Sequence, residues 1–88
     1  MAETVEIRGT EVSVDPAAMK TWKAFHLFRA IEESESVFEK ADVAFELTEM
    51  VSGLTEADIV ERCGGETADM DAVLGFALDV VKAASPKN

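Results

Sequence analysis

Eighty-eight residues with 18 acidic and 8 basic side chains give a formal net charge of −10 on a chain the size of one small domain. A hydrophobic content of 48% is too high for an acidic disordered tail, so the charge belongs to a folded domain. A field of that sign repels phosphate backbones and anionic bilayer surfaces, which argues against nucleic-acid and membrane partners.

The first fourteen residues read as strand. Val5, Ile7, Val12 and Val14 are β-branched and alternate within two short runs separated by Arg8-Gly9-Thr10. The glycine in that connection favours a hairpin, with one bent strand pairing to a partner as the alternative. A lone hairpin is marginal in water, so its apolar face is expected to lie on a helix.

Asp15-Pro16 has the form of an N-cap followed by proline at the first helical position. A first helix is expected from about Pro16 to Glu33, with Ala24, Phe25, Leu27, Phe28 and Ile31 on a broad apolar face. Lys23, His26 and Glu33 fall on the opposite side, with Met19 and Trp22 beside them. Ser34-Glu35-Ser36 supplies a break and a new cap. The second helix, about Ser36 to Val51, sets an apolar arc of Val37, Phe38, Ala41, Ala44, Phe45, Leu47 and Val51 against Glu39, Asp42, Glu46 and Glu49.

Ser52-Gly53 closes that helix. Thr55-Glu56-Ala57-Asp58 resembles a capping box with Asp in the usual Glu position, and it opens a short helix to Arg62 or Cys63. Gly64-Gly65 ends it. A fourth helix starts near Thr67 to Asp69, where Asp69 and Asp71 complement the helix dipole, and runs to Ser85-Pro86. The expected fold is α+β and mostly α. It is a single domain over 1–88, with a hairpin in 1–14, a bundle of about four helices in 15–85 and a tail in 86–88.

The charge is uneven. Residues 15–33 are neutral, whereas eight acids against two bases give −6 over 34–62. One solvated acidic face is the plain reading; an oriented contact with a basic partner is the other.

Catalysis has little to work with. Cys63 and His26 are the sole cysteine and histidine, there is no tyrosine, and nothing in the spacing brings the two together. Two such residues are also too few for a zinc site. Asp69 and Asp71 lack the remaining ligands of a calcium loop, and Gly64-Gly65 is not followed by a phosphate-loop lysine. No serine stands in the Asp-Ser-Leu setting of an acyl carrier protein. The expectation is a non-enzyme with no cofactor and no metal. A single cysteine allows no internal disulfide, and the opening Met-Ala-Glu has no basic n-region. No uncharged apolar run approaches the roughly 20 residues that span a bilayer, so a cytoplasmic soluble protein is expected.

Two features point to binding. From Ala72 to Ala84 the fourth helix carries only Asp79 and Lys82 as charges, which with Asp71 and Gly75 define a narrow strip. A helix so apolar is either the centre of the bundle or partly turned to a second subunit or a client, with Phe76 and Val80 as candidate contacts. Met19 and Trp22 project to the polar side of the first helix among His26 and Arg29, a composition enriched in interfaces. The hairpin packing over Trp22 is the alternative.

The element order adds a resemblance. Val-Glu-Ile-Arg-Gly-Thr-Glu-Val-Ser-Val-Asp-Pro leads into Met-Lys-Thr-Trp-Lys-Ala-Phe, then an acidic amphipathic helix and a closing Asp-Met-Asp-Ala-Val-Leu-Gly-Phe helix. In size, acidity and order this resembles the tail assembly chaperones of long-tailed bacteriophages and prophages. The resemblance implies an assembly factor of the infected bacterial cytoplasm that binds the tape measure protein and helps recruit tail tube subunits. It also implies absence from the finished virion. Such families often make a longer frameshifted product, and Pro86-Lys87-Asn88 is compatible with a slippery A-AAA-AAC heptamer. The codons of the gene decide that point.

Overall fold

Arg8 and Gly9 both have positive φ, 50° and 84°, as the two central residues of a tight type I′ hairpin turn require. They join β1 (Glu3–Ile7) to β2 (Thr10–Val14) in the computed structural model, which describes residues 2–85. Met1 and the 86–88 tail, with its candidate frameshift site, lie outside the described residues. Val5 pairs with Val12, and Glu3 with Val14, so Val5, Ile7, Val12 and Val14 share one face. Ile7, Val12 and Val14 are buried against the helices, whereas Thr4, Glu6, Glu11 and Ser13 face solvent. The hairpin is therefore the correct form of the N-terminal segment.

Asp15 caps the turn after the hairpin, its carboxylate accepting from the Ala17 N–H at 3.1 Å, and its own N–H donates to the Val51 carbonyl at 2.7 Å. The chain then departs from the single helix expected over Pro16–Glu33. Pro16–Lys20 is a short 3₁₀ turn, and α1 is Trp22–Glu33. Thr21, extended at φ −81° and ψ 156°, separates them. Its hydroxyl donates to the Ala18 carbonyl at 2.9 Å and accepts from the Ala24 N–H at 3.2 Å. One threonine thus closes the first turn and caps the helix after it.

The remaining helices are α2 (Val37–Ser52), α3 (Glu56–Arg62) and α4 (Met70–Ala84), with a 3₁₀ turn at Gly65–Thr67 before α4. Ser36 caps α2, and Gly53 ends it in the left-handed region at φ 77°, donating to the Glu49 carbonyl. Thr55 and Asp58 form both halves of the capping box on α3, at 3.2 and 3.0 Å. Asp69 caps α4 by accepting from the Asp71 N–H at 2.8 Å.

The core is built where α2 and α4 meet. Ala44, Leu47, Thr48 and Val51 of α2 and Phe76, Ala77, Val80, Val81 and Ala84 of α4 are buried, with Ala24, Leu27 and Ile31 of α1 and Ile59 of α3. Ala44 and Ala77 are fully buried, and side chains this small allow the two helices to approach closely. The buried Thr48 hydroxyl sits between the Ala44 carbonyl at 2.7 Å and the Ala77 carbonyl at 3.1 Å, the second across the helix pair. A buried hydroxyl without such partners would cost about 1–3 kcal/mol.

The narrow strip on α4 meets the hairpin. Arg8 Nε lies 2.8 Å from an Asp79 carboxylate oxygen, and its Nη1 is 3.5 Å from the Ala72 carbonyl. Gly75 leaves room for that guanidinium: a β-carbon at Gly75 would stand 2.5 Å from it.

Candidate interaction surface

The wrapping of α4 decides which predicted contacts are reachable. Phe76 is 3% exposed and Val80 is fully buried. They are core residues, not contacts: the hairpin, α2 and α3 all pack on α4 and bury the side on which both stand, leaving Val73, Leu74 and Leu78 only partly covered. The expected role of those two side chains is corrected on that ground. α2 lies between α1 and α4, and α4 between α2, the hairpin and α3.

The first-helix candidates stand differently. Trp22 is 76% exposed, because the hairpin packs on α2 and α4 rather than over it. Met19 is half-buried against the core. His26 is exposed, and the exposed Arg29 lies 3.9 Å from Glu33, one turn away. Trp22 and Phe25 stack with ring centroids 5.4 Å apart, and both remain open to solvent. The helical projection places Phe25 and Phe28 inside, yet only Ala24, Leu27 and Ile31 are buried. The buried stripe of α1 is narrower than its apolar face because α2 alone covers most of it.

A second apolar surface is not among the contacts expected from sequence. Val37 is 50%, Phe38 80% and Met70 64% exposed. They border a recess of about 210 Å³ between α2 and α4, floored by Phe45, Val73 and Leu74, with Glu56 of α3 at its edge. Its signals were visible: two large apolar residues directly after the Ser36 cap, and a methionine set between Asp69 and Asp71. A wider cleft of about 420 Å³ lies alongside, between Phe28 and Ile31 of α1, Lys40 of α2, and Leu78 and Lys82 of α4. Leu74 and Leu78 are one turn apart on α4, so the recess and the cleft adjoin along that helix.

The two exposed regions sit near different parts of α2. Lys23, next to Trp22, lies 3.8 Å from Glu46, while Phe28 and Ile31 stand beside Lys40. α1 and α2 are therefore antiparallel, and Trp22 lies toward the later half of α2. Phe38 is in its first turn. About 12 Å of helix separate positions 38 and 46 at 1.5 Å per residue.

Electrostatically the surface is simple. Glu39, Asp42, Glu46 and Glu49 all face solvent along α2. At the start of α3, hydrogen bonds from the Thr55 N–H and hydroxyl, with Arg62 nearby, hold the Asp58 carboxyl below the usual carboxylate range. That is the mark of a cap and not of a catalytic acid. Cys63 is half-buried with its sulfur 3.8 Å from the Ala72 carbonyl, and His26 is exposed on α1, so the fold assigns them to separate elements. Among the described residues no group of three or more His, Cys, Asp or Glu side chains could hold a metal ion. No helix among them is long and apolar enough to cross a membrane. What the arrangement offers is apolar contact area bordered by carboxylates. Comparison with protein-family models, curated proteins and solved structures found no match.

Proposed function

We propose that this chain is a non-enzymatic tail assembly chaperone of a long-tailed bacteriophage or prophage. On this reading it works in the cytoplasm of the bacterial host, binds the tape measure protein, helps recruit tail tube subunits around it, and is left out of the virion. The single observation that supports a client-binding role is the set of large apolar side chains kept in solvent, led by Phe38, Trp22 and Met70, on a domain whose core is otherwise closed. Exposed apolar patches rimmed by polar groups are a feature of protein contact sites. A long helical client presents apolar stripes of its own, and a domain carrying a charge of −10 would keep the pair soluble while those stripes are covered.

The test is co-expression with a tape measure protein from the genome that encodes this chain, followed by co-purification at micromolar concentration. A stable complex is expected, with the tape measure protein soluble only when the chain is present. No complex, and no gain in solubility, overturns the reading.

A second reading is a small acidic regulator of a basic protein, favoured by the −6 charge over residues 34–62. Salt separates the two. Binding by charge alone collapses once the Debye length falls to about 3 Å near 1 M salt, whereas apolar masking survives it.

A further inference from the structure

We propose that the recess between α2 and α4 takes a cationic amphipathic helix, one large apolar side chain of which enters it while lysines or arginines on either side meet the carboxylates of its rim. This rests on the client-binding reading and names the part of a client that is bound. The recess is apolar in its floor and walls, formed by Val37, Phe38, Phe45, Met70, Val73 and Leu74. Its volume of about 210 Å³ exceeds the roughly 150 Å³ that accommodates a benzene ring in a protein interior, so a phenylalanine or leucine side chain fits. Phe38 and Met70 stand out as two open jaws, 80% and 64% exposed. A flexible methionine beside an aromatic ring adapts to apolar partners of varied shape.

The rim selects the sign of the occupant. Glu56 lines the recess itself; Glu39 follows Phe38 in the chain, and Asp69 and Asp71 flank Met70. None of these four carboxylates has an ion-pair partner among the described residues. No basic side chain lines the recess, since Lys40 faces the neighbouring cleft with Phe28. A second copy of the chain would bring Glu56 and a net charge of −10 against the same charge, and an acidic helix would be repelled in the same way. A helix with basic flanks meets no such penalty, and its apolar face spaced at three and four residues matches a groove between two helices.

The full chain is titrated with a labelled peptide of about 14 residues, roughly four helical turns, built from leucine and lysine as an amphipathic helix. A control peptide keeps the leucines and replaces lysine with glutamate. The lysine peptide is expected to bind at micromolar concentration and the glutamate peptide at least about tenfold more weakly. Phe38→Ala with Met70→Ala is expected to weaken the lysine peptide by about tenfold or more, with an unchanged thermal melt because both side chains are exposed. Glu39→Gln with Glu56→Gln is expected to weaken it by roughly threefold and to flatten its salt dependence. Trp22→Ala leaves it unchanged. Equal binding of the two peptides overturns the proposal. So does wild-type affinity in the Phe38/Met70 variant, or a dimer of the free chain that this variant dissociates. A tape measure complex that survives Phe38→Ala/Met70→Ala overturns this surface and leaves the client-binding reading standing. Failure of the wild-type complex removes that reading instead.

Discussion

The two ends of α2 are equally apolar in sequence and meet opposite fates. Toward its C-terminus Ala44, Leu47, Thr48 and Val51 are sealed, whereas Val37 and Phe38 in its first turn stand in solvent. The difference lies in the neighbours. The later half is crossed by α4 at Ala77 and tied to the segment that follows the hairpin through the Asp15 N–H and the Val51 carbonyl, with β2 and the Pro16–Lys20 turn packed on it. The first turn instead borders an open recess: Glu56 of α3 and Met70, Val73 and Leu74 of α4 stand beside it without closing over it, and Met70 is itself largely exposed. An amphipathic pattern therefore states which face is apolar, and the reach of the surrounding elements determines how much of that face is covered. The uncovered end is where we place the client.

Paired substitutions break that comparison most sharply. Leu47→Ala removes a fully buried side chain and is expected to cost about 2–5 kcal/mol in denaturant unfolding. Phe38→Ala, a larger truncation on the same helix, is expected to stay within about 0.5 kcal/mol of wild type. Comparable losses for the two would mean that Phe38 is covered in solution.

The crossing itself is probed by Thr48→Val, which keeps the shape and deletes the hydroxyl shared between the Ala44 and Ala77 carbonyls. A loss of about 1 kcal/mol is expected, seen as a lower denaturation midpoint with an unchanged slope.

Thr55→Ala tests the start of α3, the helix that follows Gly53. Losing the cap of α3 is expected to cost about 1 kcal/mol. The partner half of the box has a pH signature. Asp58 has a folded-state acidity stronger than its unfolded one, so its contribution is complete above the ordinary carboxylate range. It is lost as pH falls through the lowered folded value. Acid melts of wild type and Asp58→Asn should converge at low pH and separate above about pH 4; parallel curves throughout would contradict the box.

The smallest effect concerns the hairpin that covers the sealed end. Glu6 and Glu11 stand directly opposite on its solvent face. Glu11→Lys is expected to stabilise by about 0.2–1 kcal/mol, readable as a small rise in melting temperature that added salt removes.

Most of the architecture was legible because local chemistry marked it. Arg8-Gly9 marked the turn, Ser36, Thr55 and Asp69 the caps, and Gly53 and Gly64 the stops. The break at Thr21 was hidden because one hydroxyl serves two turns there, a role that no spacing rule encodes. The surface was less legible than the fold. Trp22, His26 and Arg29 lie outside as a helical projection suggests, but Phe76 and Val80 do not reach the surface expected of them. Projection gives direction around a helix axis and says nothing about the length of the elements packed on it. Phe25, Phe28, Val37 and Phe38 fall on apolar arcs yet escape the core for the same reason. The coupling of Arg8, Gly75 and Asp79 is a long-range fit between a turn and a helix, and sequence periodicity contains no trace of it.

Hydrogen exchange of the full chain, with and without the tape measure protein, tests the central claim most directly. Protection gained over about residues 35–42 and 68–74, with the already buried 44–51 and 76–84 segments unchanged, is the result the account predicts. A complex that forms while the first turn of α2 and the start of α4 exchange as fast as in the free chain would contradict it.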